Sequence, residues 1–306
     1  MTLRLVVTAD DLGLHPGINS GVIESHRNGI VTACSIVANG EAFGDAVARL
    51  HDAPSLDVGV HLTLVEERPL LPARHVPSLV DRSGRMFKDF RSFSLRYASG
   101  RILMEDVERE LRAQMEHVLG AGLRPLHLNG HQHLHVLPEI FVLVCSLATE
   151  YGIPYVCVPS GRNGSTSVSW ARGLSMRVLD VFGSQARERL SRGKLVTADH
   201  TLGIHEAGTI DGSRLRRILS SVENCNDRHF ACPKGHAEGC SCEMVVEFVA
   251  HPGEGDSEIA ARYAWGYGWD EERRALCHPD IRDLVEDLHI LLCGIGEVVR
   301  VASGDL

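Results

Sequence analysis

Short apolar runs separated by amphipathic segments dominate this chain, and four of the runs end on a residue able to bind a metal or move a proton. Leu3–Thr8 leads into Asp10 and Asp11, and Leu56–Val60 leads into His61. Leu126–Gly130 leads into His131, His133 and His135, and Met244–Ala250 into His251. Apolar runs of this length between helical patterns predict buried parallel strands, since a strand covered on both faces has no wet side to alternate with. Helices are predicted from Pro16 to about Asn28 with Gly29 as the stop, over Glu41–His51, Pro138–Tyr151, roughly Trp170–Arg192, Ser213–Val222 and Ile281–Leu291. Met104, Val107, Leu111, Met115 and Val118 recur at helical spacing, with Glu105–Arg109 and Glu108–Arg112 as pairs on the wet face. Further strands are predicted at Val31–Val37, at Pro154–Val158 and within Leu195–Ile204, with Glu297–Val301 as a closing strand. Residues 65–100, broken by Pro69, Pro72 and Pro77 and a turn at Asp81–Gly84, read as an irregular lid or rim near the site. No internal repeat or linker divides the pattern. The expectation is one α/β domain over residues 1–306, a barrel or an incomplete one with a mostly parallel sheet.

Composition narrows the function. A net charge of −9 argues against broad nucleic-acid or anionic-membrane partners, and the basic stretch at Arg214, Arg216 and Arg217 reads as a solvated helix face. No run approaches the length needed to cross a bilayer, and Asp10 and Asp11 cut the first run short of a signal peptide. Nine scattered cysteines fit a reducing compartment, so a cytoplasmic location is expected.

The strand ends carry the chemistry. Two adjacent carboxylates at the end of a buried strand are costly without a cation or donors. On an extended backbone neighbours point to opposite faces, which suits Asp10 and Asp11 to one base and one ligand; a helix N-cap is the alternative. In the stretch from His127 to His135, alternate spacing on an extended chain puts His131, His133 and His135 on one side. Three imidazoles so placed favour a metal site. His61 joins them by its position in the same layer, and His251, before Pro252-Gly253, reads as an exposed general acid at the rim.

The stretches Thr8–Gly13, Gly29–Gly40, Gly59–Leu64, His127–Pro138 and Ala250–Gly253 together resemble the YdjC family of carbohydrate deacetylases, relatives of the diacetylchitooligosaccharide deacetylases. The resemblance implies a distorted (β/α) barrel, one divalent metal ion, a small carbohydrate substrate and a homodimer. By position it implies Asp11, His61 and His131 as ligands, Asp10 as general base and His251 as general acid. His133, His135 and Asn129 are expected as accessory site residues. One carboxylate and two imidazoles suit Zn²⁺ or another first-row ion, while the family leaves Mg²⁺ open. The implied reaction removes acetyl from an N-acetylated amino sugar or short oligosaccharide, with a metal-activated water as nucleophile.

Two positions depart from the family: Asn129 where an Asp is usual, and Cys157 where an Arg is usual. They motivate a rival reading, a sugar-binding protein of the same fold with little or no turnover. A non-haem Fe(II) oxygenase is a further rival on the ligand set alone. A Cys/His-rich insertion at about residues 224–243 holds Cys225, His229, Cys232, His236, Cys240 and Cys242. Its spacing matches no standard zinc ribbon, so a reduced surface loop is expected, with a structural Zn²⁺ on Cys232, His236, Cys240 and Cys242 as the alternative. Trp265, Tyr267 and Trp269 fit either a local stacking platform or a packed turn.

Overall fold

The computed structural model describes residues 2–159, 170–223 and 243–304, with 170–178 and 223 described by their backbone alone. The strands are β1 (Thr2–Leu12), β2 (Ala33–Ile36), β3 (Asp57–Leu62), β4 (His127–Gly130), β5 (Tyr155–Val156), β6 (His200–Leu202), β7 (Glu243–Ala250) and β8 (Leu291–Leu292). All their ladders are parallel, in the order β5-β4-β3-β2-β1-β7-β6, and β8 pairs with β1 at Arg4 and Leu5. At the β5 edge, Tyr155 makes a single parallel bridge to Val196, which lies in the segment before β6. The expected incomplete barrel is therefore present.

Helices α1 (Pro16–Arg27), α2 (Phe43–His51), α3 (Phe90–Ala98), α4 (Met104–Gly120), α5 (Pro138–Glu150), α6 (Trp170–Leu190) and α7 (Gly212–Glu223) are interspersed with the strands. After β7 come α8 (Ser257–Arg262), α9 (Trp269–Cys277), α10 (Pro279–Asp287) and α11 (Ile295–Ser303). Leu3, Leu5, Val7 and Ala9 of β1 share one core with Ile18, Val22, Leu111, Val144 and Leu215 of the helices, whereas Val6 belongs to a second, inner cluster. That alternation sends Thr8 inward to Glu247 (2.7 Å) and aims Asp10 at the same interior.

Three sequence expectations change. Residues 65–100 are not all irregular, since α3 forms within them, capped by the Asp89 side chain on Ser92 N–H (2.8 Å). Glu297–Val301 is not a closing strand: Ile295 and Val298, three apart, are buried at helical spacing, and Leu291–Leu292 already occupy the edge of β1. On α4, Arg112 pairs with Glu108 (2.9 Å) as expected, but Arg109 turns to Asp106 (2.9 Å). This helix also buries Asp106, Glu110 and Gln114. Their side chains take the backbone N–H groups of Ser78 (2.8 Å), Leu70 (2.9 Å) and Thr63 (2.9 Å). A plain packing helix thus becomes a clamp on the segment that follows β3, because buried amides need partners. Among the described residues, no helix is long and apolar enough to cross a membrane. The six Cys and His positions of the insertion lie outside the described residues.

Candidate metal centre

Strand register brings the separated motifs to one end of the sheet. Ala9 pairs with Ala250, so Asp10 and His251 follow at matching positions on β1 and beyond β7. His61 pairs directly with Asn129 on β4, and His131 follows that strand. Asp10 and Asp11 are each 2% exposed, His61 3% and His131 5%. Neither aspartate caps α1, whose N-cap is His15.

The alternation expected for the aspartates fails at Asp11. Its φ of +68° and the register shift between Ala9 and Leu12 turn its carboxylate back toward the interior. Asp11 Oδ1 lies 3.0 Å from His131 Nδ1 and 3.4 Å from His61 Nε2, and the two ring nitrogens are 3.3 Å apart. Donors sharing one tetrahedral ion at about 2 Å are separated by about 3.3 Å, so this triangle fits a single small cation. Three buried donor atoms converging on one point, with one formal negative charge among them, form the cluster of the described residues best suited to an ion.

Asn129 connects the triangle to Asp10. Its Nδ2 donates to Asp10 Oδ1 (2.8 Å), which leaves its carbonyl oxygen to accept from His61 Nδ1–H (2.7 Å). The amide orientation follows from these partners, and it keeps the His61 Nε2 lone pair facing Asp11. An Asp at 129 would instead set two carboxylates against each other. The departure from the family pattern is thus accommodated by the geometry.

Charge follows the same pattern. Burial by itself would raise the Asp11 carboxyl and lower the imidazoles; instead, His131 and His61 hold Asp11 well below the usual carboxylate range. Against the same burial, Asp11 and then Glu66 hold His131 up at about 10, and Asp10 and Asp11 raise His61. Burial wins elsewhere, taking His127 down to about 3, His135 to about 4 and His133 well below its ordinary value.

The three alternate histidines do not share one side. Gln132 and His133 have φ of +50° and +56°, so the chain coils after His131 instead of extending. His131 enters the triangle, His133 faces the adjoining cavity, and His135 turns away to the Cys157 carbonyl (2.9 Å). His135 is therefore a structural residue of the β4 turn, and His127 bonds Ser35 Oγ (2.9 Å) inside the barrel. His251 is half-buried, not exposed. Its N–H donates to Glu272 (2.7 Å), its ring packs edge-on against Tyr267 at 5.1 Å, and its buried Nδ1 has no hydrogen bond among the described residues.

A cavity of about 810 Å³ opens over the triangle. Asp10, Asp11, His61, His131, His133 and His251 all line it, with Phe90, Tyr97, Phe182, Trp265 and Tyr267 among its walls. Trp269 is not part of this wall; it is 5% exposed and packs behind Tyr267 at 5.9 Å. Of the five non-glycine residues with positive φ among the described residues, Asp11, Glu66, Gln132 and His133 line the cavity. Such backbone strain gathers where a surrounding fold holds a site in place.

A family model described as YdjC-like protein matches residues 4–287. The chain belongs to the YdjC-like family. A relative from Brevibacillus brevis named carbohydrate deacetylase is 40% identical over 297 residues, covering 97% of this chain and 100% of its own. One from Escherichia fergusonii named chitooligosaccharide deacetylase is 37% identical over 154 residues, 50% of this chain and 58% of its own. A crystallised protein of Enterococcus faecalis V583 shares the fold, with a TM-score of 0.74 at 24% identity and coverage of 97% of this chain and 99% of the other.

In this YdjC-like chain α6 presents a guanidinium to the barrel wall. Arg187 donates to the carbonyls of Ala198, Asp199 (3.2 Å) and Val158 (2.6 Å) and to Thr201 Oγ1 (3.0 Å), so it ties these segments of the wall together. Sequence reasoning missed Glu66, Trp265 as its partner, and Glu272. Only Glu66 carried a readable signal: with Glu67 it is a second adjacent acid pair shortly after an apolar strand.

Proposed function

We propose that this YdjC-like chain is a divalent-metal-dependent hydrolase that removes acetyl from an N-acetylated amino sugar or short oligosaccharide. The observation that carries the reading is the buried triangle of Asp11, His61 and His131 at the strand ends, opening on a cavity that also holds Asp10 and His251. The names of the Brevibacillus and Escherichia relatives support the substrate class.

Asp11 Oδ1, His61 Nε2 and His131 Nδ1 would hold the ion, and two imidazoles among three donors favour Zn²⁺ over Mg²⁺. A bound divalent ion supplies Lewis acidity, polarising the amide carbonyl and acidifying water. Asp10, oriented by Asn129, accepts a proton from the attacking water as its oxygen bonds to the acetyl carbon. His251, its backbone tied to Glu272, gives a proton to the amide nitrogen as the C–N bond breaks. Acetate and the free amino sugar leave. Trp265 and Tyr267 present half-buried ring faces to the sugar, and Tyr267 also holds the His251 ring edge-on.

Purified protein is expected to contain one equivalent of a divalent ion bound at this triangle. Its uptake should depend on pH with a definite sign. Without an ion, His131 is protonated up to about 10, so the proton and the cation compete for Nδ1. Affinity should therefore strengthen as pH rises from about 6.5 toward 10, with proton release on binding. The metal-free protein should show the opposite trend. The pairing of His131 with Asp11 stabilises it fully below the unfolded imidazole value and is lost as pH rises through about 10. Calorimetric titration with Zn²⁺ in buffers of different ionisation enthalpy counts the released protons. Uptake that is independent of pH would count against His131 as a ligand.

A further inference from the structure

Resting on the metal reading above, we propose that Glu66 and Trp265 are positioning residues that fix the tautomer of His131. The ring of His131 is held at both nitrogens: Nδ1 faces Asp11 and His61, and Nε2 lies 2.8 Å from Glu66 Oε2. Each ring nitrogen has its own partner, so the ring orientation is determined by the contacts. Glu66 approaches the nitrogen turned away from the triangle and so stands behind a ligand, outside the ion's reach. A carboxylate in that place holds the proton on Nε2, so the proton that a cation displaces is the one on Nδ1.

Trp265 makes the arrangement directional. Its indole N–H donates to Glu66 Oε1 (2.9 Å), and its ring lies against His131 with centroids 5.3 Å apart. One carboxylate oxygen is thereby assigned to the indole and the other to the imidazole. The backbone is committed to the same end. Glu66 adopts φ +68° and its N–H is bound to the Phe87 carbonyl (2.7 Å). The next residue, Glu67, is buried and accepts from Arg262 (2.8 Å) and Tyr263 (2.7 Å), drawing the segment that carries Trp265 onto the one that carries Glu66. A left-handed glutamate costs backbone energy, and its side-chain partners give that cost a function.

Substitution by glutamine gives a specific test. In Glu66→Gln, Trp265 N–H claims the amide oxygen, so an NH₂ group faces His131 Nε2. That pairing requires a bare Nε2 and moves the ring proton to Nδ1, where the ion must bind. Adding Trp265→Phe frees the amide to rotate, so that its oxygen can again accept Nε2–H.

Zn²⁺ affinity measured at pH 9 by competition with a chromophoric chelator should fall about 10- to 100-fold in Glu66→Gln. It should recover in part in Glu66→Gln/Trp265→Phe. Equal affinity in wild type and Glu66→Gln, or a double variant no tighter than the single one, would overturn the assignment while leaving the metal reading intact. Failure of the wild-type protein to take up Zn²⁺ would overturn the metal reading itself. Should the variants not fold, ¹⁵N side-chain spectra of the Zn²⁺-loaded wild type decide the matter. A protonated Nε2 and a coordinated Nδ1 on His131 support the proposal, and a coordinated Nε2 refutes it.

Discussion

Asp11→Asn is expected to strip the divalent ion from the protein and to lower acetate release by about 10³-fold or more, since a bound ion contributes several kcal/mol to such a reaction. Asp11 supplies the only carboxylate of the triangle and touches both imidazoles, at 3.0 and 3.4 Å. The amide has the same shape but removes the negative charge that draws in a cation. Its NH₂ group also adds a donor where only acceptors can serve. Retained shape separates this effect from simple unfolding, which circular dichroism of the chelated proteins would check. Elemental analysis together with an acetate assay reads both halves. A variant that keeps one equivalent of ion and wild-type turnover would remove Asp11 from the site.

Asp10→Asn should have the complementary signature: ion retained, kcat lower by about 10²- to 10⁴-fold, and KM little changed. Asp10 is not a corner of the triangle. Its Oδ1 is 3.8 Å from His61 Nδ1 and accepts from Asn129. An asparagine at position 10 can still accept that bond, so the local structure has reason to survive while the proton acceptor is lost. A base acts on the transition state more than on the bound substrate, which is why the loss should appear in kcat. If the variant loses the ion as well, Asp10 is a ligand and the division of labour between the two aspartates fails.

Much of this was legible because it depends on period and position. The runs before Asp10, His61 and His251 are mostly apolar because β1, β3 and β7 are largely buried, and β4 is buried too, with His127 and Asn129 hydrogen-bonded inside the barrel. Parallel pairing then carries their ends to one side of the sheet. What could not be read is what local backbone departures decide. A bulge at Asp11 and two left-handed residues at Gln132 and His133 overrule strict alternation. The first brings a carboxylate into the Asp11–His61–His131 triangle and the second turns His135 away from it. Glu66 escaped notice for a different reason. Its role depends on contacts with His131 and Trp265, remote in sequence, and no periodicity reports those. The buried acids and amide of α4 were hidden likewise, since Asp106, Glu110 and Gln114 serve backbone groups of a loop and not a wet face. Asn129 and Cys157 invited a reading of lost activity from sequence. In the fold Asn129 spans Asp10 and His61 with both ends of its amide used, and Cys157 offers its carbonyl to His135.

The central claim is metal-dependent deacetylation, and acetate release from N-acetylglucosamine oligomers tests it most directly. The purified protein should be assayed as isolated, after chelation, and after return of one equivalent of Zn²⁺ or Mg²⁺. Expected is release by the isolated protein, loss on chelation and recovery with the ion, Zn²⁺ restoring more than Mg²⁺. Release that survives complete removal of the ion, or its absence under every ion tried despite sugar binding, would contradict it.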